Sequence, residues 1–241
     1  MDDRPAWLRV GEDIIGPLLT DTRGKVAQFA GADYHVAQMP LLALYHLAQS
    51  LDASIDSNEK GRHAVALSLA RQAIEALTIV ELGMLSPAFS YPLLEKWHAG
   101  SKSHGDLRKA LELSIWSGYG SGLWEEPWAE FIASLAKAVQ PYAHCTPELL
   151  QWNLAVISTP AASRFLVGVG SYDTMKASRV TLLHVLVTWT LGRILFANFP
   201  SHDGLVTVAA IGQLGASLAS SEFLIKGQDW SVQLWPHMFL K

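Results

Sequence analysis

The sequence predicts an all-α fold. Three observations lead there: apolar residues recur mostly three and four apart, no alternating run bounded by hairpin turns stands out, and helix-starting residues precede most of the periodic stretches. The expected architecture is an up-and-down bundle of four or five long helices, with shorter helices inserted near its middle, in a single domain over 1–241. Half of the 241 residues are apolar and 17% are charged, which suffices for a sizeable core.

Residues 1–37 read as an irregular segment packed on the bundle, because Gly16-Pro17 interrupts any early helix. Pro40 suits the first turn of a helix running to about Ser54, whose apolar positions Leu41, Leu44, Tyr45, Ala48, Leu51 and Ile55 make one stripe. A longer helix is expected from about Arg62 to Leu85. Leu67, Ala70, Ile74, Leu77 and Val80 form its apolar side, and Ser68, Arg71, Glu75 and Thr78 its polar one. Arg71 and Glu75, one turn apart, are spaced to pair. That polar stripe reads either as a solvated face or as part of a binding surface.

Ser103 and Asp106 form a capping-box-like start for a helix through about Trp116, and the glycines of "SGYGSGLW" end it. Pro127 suits the first turn of a helix over about 126–139, which Pro141 stops. Thr146-Pro147 opens a short helix through Ala155, and the segment "STPAASRFLVGVGSYD" that follows reads as irregular. Asp173 or Ser171 caps the next helix, which carries Arg179 and His184. The turn "NFPSHDG" separates it from a last helix over about 205–225.

The formal charge of −4 gives no global attraction to polyanions, so RNA binding would need a local basic patch. Cys145, the single cysteine, cannot form an internal disulfide or a thiolate zinc site, and "MDDRPAWLRV" lacks a secretory pattern; a cytoplasmic location is expected. The run after Val180 contains His184 and Arg193, which favours a buried helix over a membrane span. Glu95-Lys96-Trp97-His98 matches a di-iron element only once. No metal site and no cofactor is therefore expected.

Two constellations could carry chemistry. On a helix, His184 lies about 140° around from Arg179, and the pair converges only if the long guanidinium reaches around the first turn; Lys176 adds a cation one turn earlier. Imidazole can move a proton to or from a ribose oxygen while guanidinium holds the phosphate. The second constellation is "EKWHAGSKSHGDLRK", where Lys102, His104 and Arg108 gather near Trp97 as a basic patch able to hold phosphates and stack a base.

An Arg followed within four to six residues by a His, on a late helix of an all-α chain, resembles the signature of the HEPN superfamily. The helix bearing Arg71 and Glu75 is similar to one in HEPN-like bacterial proteins. The resemblance implies a metal-independent endoribonuclease or toxin-type effector in prokaryotic defence or stress response. It would act as a homodimer on RNA, with a possible protein partner or antitoxin. Arg179 would bind the scissile phosphate, His184 would transfer protons, and Lys176, Lys102, His104, Arg108, Arg71 and Glu75 are the candidate substrate-binding residues. The sequence departs from catalytic members at Val180, where they often carry a polar residue. A non-catalytic helical module that binds a protein partner, nucleotide or RNA is therefore the second expectation.

Overall fold

The structure, a computed structural model, describes residues 4–26, 34–159, 162–167 and 172–227. Nine α-helices are described: α1 (Ala6–Val26), α2 (Tyr34–Glu59), α3 (His63–Leu82), α4 (Pro87–His98), α5 (His104–Ser114), α6 (Trp128–Val139), α7 (Pro147–Gln151), α8 (Thr174–Asn198) and α9 (Val208–Ala219). The fold class is all-α. One antiparallel hairpin accompanies the helices, β1 (Leu154–Thr159) with β2 (Ala162–Val167), in a register that sets Leu154 opposite Val167 and Thr159 opposite Ala162.

The helix starts follow from local chemistry. Ser103 and Asp106 form a reciprocal capping box on α5, Thr146 accepts from the Leu149 N–H, and Asp173 accepts from the N–H groups of Met175 and Lys176. Prolines mislead instead. Pro17 lies within α1 and Pro40 within α2, so the described residues of the segment expected to be irregular over 1–37 are largely helical, and α2 begins six residues ahead of Pro40. Burial outweighs the lost backbone hydrogen bond: Trp7, Gly11, Ile14, Leu18, Thr22 and Val26 form a continuous buried edge on α1. Pro87 opens α4, which periodicity did not single out, and Pro92 is inside it.

Other boundaries also shift. α7 stops at Gln151 rather than Ala155; β1 begins where that helix was expected to end, and the segment read as irregular after it supplies the end of β1 and all of β2. α9 is shorter than the expected 205–225. On α2 the buried edge passes through Leu44, Leu47, Leu51 and Ser54, leaving Tyr45 and Ile55 exposed.

α2 and α3 form a helical hairpin across a turn in which Gly61 takes a φ of +71°. Against it lies α8, which contacts α1, α2, α3 and α9. Eighteen of its residues are buried, and a Cβ on Gly192 would overlap Ile211 of α9, so that approach needs a glycine. α8 is long and apolar enough to cross a membrane by composition, and 83% of its most apolar stretch is buried inside the protein.

The core also encloses a carboxyl, that of Glu81. Glu81 is 2% exposed and accepts from the Trp116 Nε1–H at 2.7 Å. Tyr119 lies beside it, accepting at its hydroxyl from Asn198 Nδ2 at 2.6 Å. Arg193 donates to the Tyr119 carbonyl, its guanidinium stacked over Trp128 and Trp189. Burial pushes the Glu81 carboxyl up to about 7. The unfolded chain releases this proton near 4.5 and the folded chain only near 7, so stability falls as pH rises between those values. Urea unfolding across that window should show wild type losing about 3 kcal/mol relative to Glu81→Gln, which keeps an acceptor for Trp116. Parallel pH profiles for the two proteins would contradict this assignment.

Candidate functional site

The polar side chains of α8 are engaged by the surrounding core. His184 is fully enclosed, and its Nε2 lies 2.6 Å from Ser54 Oγ of α2. Ser54 spends its single hydroxyl proton on the Ala66 carbonyl of α3, at 2.6 Å. The imidazole is therefore the donor, an Nε2–H tautomer, and burial pushes its pKa down to about 4. Arg179 points elsewhere. It donates to the Phe223 carbonyl at 3.1 Å, and its guanidinium sits 4.6 Å above the Phe223 ring. Burial lowers its pKa, opposed by Glu222.

The structure does not bring Arg179 and His184 to a common surface within this chain. One faces the segment around Phe223 and the other the α2–α3 hairpin, as the rotation along α8 dictates. Lys176 is also buried and donates to the Trp152 carbonyl at 3.1 Å, and burial lowers its pKa. At the same end of α8 His63 accepts from the Asp173 N–H through Nε2, so its Nδ1–H donates to Asn58 Oδ1. Asn58 in turn donates to the Ala177 carbonyl and to Thr181.

Charged side chains do meet at the surface formed by α3, α5 and α6. There a groove of about 660 Å³ opens. Arg71 donates to Glu75 at 2.7 Å across one turn of α3, and its Nε–H is enclosed without a partner among the described residues. Arg108, Lys109 and Glu112 line the α5 side, and Glu130 and Lys137 the α6 side. Ile74, Trp116, Ile132 and Val139 make an apolar floor. Along α6 the small residues Ala129, Ala133 and Ala136 let a ligand approach the helix closely.

Three of the expected substrate-binding residues, Arg71, Glu75 and Arg108, thus share one groove. His104 lies just beside it, its ring 5.4 Å from the Trp97 ring and nearly perpendicular to it. Burial lowers the His104 pKa, with Glu75 acting against this and Arg108 and Arg71 reinforcing it. Lys102 precedes α5 and lines neither the groove nor the depression beside His104. The α6 alanines were not singled out for binding from the sequence, although their spacing of four and three on one helix face was visible there.

Among the described residues no group of three or more His, Cys, Asp or Glu side chains is arranged to hold a metal ion. No family model, curated protein or solved structure matches this chain.

Replacing Ser54 by Ala would leave the His184 Nε2–H unsatisfied in the core and remove the second hydrogen bond of the Ala66 carbonyl, which already serves the helix. Urea unfolding at pH 7 should then show a loss of about 1–3 kcal/mol. An unchanged unfolding midpoint would show that this hydrogen-bond chain is not made in solution.

Proposed function

We propose that this protein is a non-catalytic helical binding module whose groove between α3, α5 and α6 seats an amphipathic helix from a protein partner. The observation that carries this reading is the groove itself: an apolar floor, small residues along α6, and charges of both signs at the rim. Lys109 pairs with Glu112 and Arg71 with Glu75, whereas Arg108 has no ion pair among the described residues. A carboxylate on the flank of the incoming helix would complement Arg108.

The endoribonuclease reading asks His184 to exchange protons with a substrate. An enclosed imidazole that stays neutral above about pH 4 and donates to Ser54 supports the binding reading instead. Arg179, stacked on Phe223, likewise serves the packing of the segment beyond α9.

The test pairs capture with cleavage. Tagged wild-type chain is used to capture a partner, which is then purified and titrated against wild type, Ala133→Arg and Arg108→Glu. Both variants should remain folded by circular dichroism and weaken binding at least tenfold, because one blocks the close approach along α6 and the other reverses the rim charge. In parallel, wild type should leave total RNA intact in EDTA. Partner binding indifferent to both substitutions would defeat the proposal. So would RNA cleavage that Arg179→Ala and His184→Ala each abolish.

A further inference from the structure

A second depression, of about 340 Å³, opens on the far side of Glu75 from the groove, between α2, α3 and the α4–α5 junction. Its walls are largely apolar: Met39 and Leu42 from α2, Ala76 and Ile79 from α3, and the half-buried Trp97 of α4. The polar groups are few and convergent, as in small-molecule sites. They are His46, Gln72, Glu75 and His104; Glu75 is the sole carboxylate among the lining residues, and no lysine or arginine lines the depression.

We propose that this depression binds a small planar aromatic ligand carrying a protonated amine, with the ring against Trp97 and the ammonium on Glu75. The geometry supplies each part. Trp97, held perpendicular to the His104 ring, offers an aromatic wall to a flat ligand. Arg71 engages Glu75 through Oε1 from the groove side, and a carboxylate has a second oxygen to offer an ammonium from the other. Burial, with Arg108 and Arg71 nearby, holds His104 in its neutral form, so it adds no cation to repel an amine and can accept a hydrogen bond. The space suits a fused two-ring compound of about a dozen non-hydrogen atoms. This site does not depend on the helix-binding groove, since it uses a different face of α3 and meets the groove only at Glu75.

The test uses two probes with the same ring and opposite charge, tryptamine and indole-3-acetate, titrated into the full chain by calorimetry and by ligand-observed NMR. Tryptamine should bind saturably and at least tenfold more tightly than the acetate. Glu75→Gln should erase most of that preference. Ala43→Leu and, at a more exposed edge of the same depression, Leu42→Trp should each reduce tryptamine binding at least fivefold while the chain stays folded by circular dichroism. Absence of saturable tryptamine binding to wild type, a preference for the acetate, or binding untouched by a folded filling variant would overturn the proposal.

Discussion

The constraint on which the structure depends is that α8 is surrounded while still carrying polar side chains. A helix enclosed by α1, α2, α3 and α9 gives its His, Lys and Arg groups little water, and each must find a partner in the protein or be left unsatisfied at a cost of about 1–3 kcal/mol. Each partner belongs to a different element. His184 reaches Ser54 and through it Ala66, Lys176 reaches the carbonyl after α7, Arg179 the carbonyl of Phe223, and Arg193 that of Tyr119. These bonds fix the rotation of α8 about its axis, which apolar packing all around a helix leaves poorly specified.

The same constraint decides where chemistry has room. Groups spent on holding α8 are neutral, stacked or capped by carbonyls, and a buried imidazole on a serine is a poor acid and a poor base near neutrality. The charges on α3 and α5 keep partial exposure and lie beside apolar walls. That combination of rim charge and greasy floor is what recognition surfaces use. Glu75 stands at the ridge between two concavities and lines both.

How much of this was legible in the sequence depended on the range of the interaction. The caps at Ser103, Thr146 and Asp173 are settled within three residues and could be read directly, as could the Arg71–Glu75 pair one turn apart. Pro17 and Pro40 misled because the local penalty of a proline was overruled by burial of the helices that contain them. The hairpin was missed since the run 154–167 has a proline near its middle and no turn dipeptide of the usual kind. Arg179 and His184 looked like a local pair, yet their partners lie 44 and 130 positions away, and no spacing rule encodes that. The groove likewise needs α3, α5 and α6 to meet, so its charged members were visible singly and its shape was not.

The central claim is that His184 is a structural donor rather than a reactive group, and nitrogen-15 NMR of the histidine side chains tests it directly. The account predicts a neutral Nε2–H tautomer for His184 that persists through neutral pH and titrates only near pH 4, with slow exchange of its proton. A His184 resonance that titrates near the ordinary histidine value of 6.5, with rapid proton exchange, would contradict it.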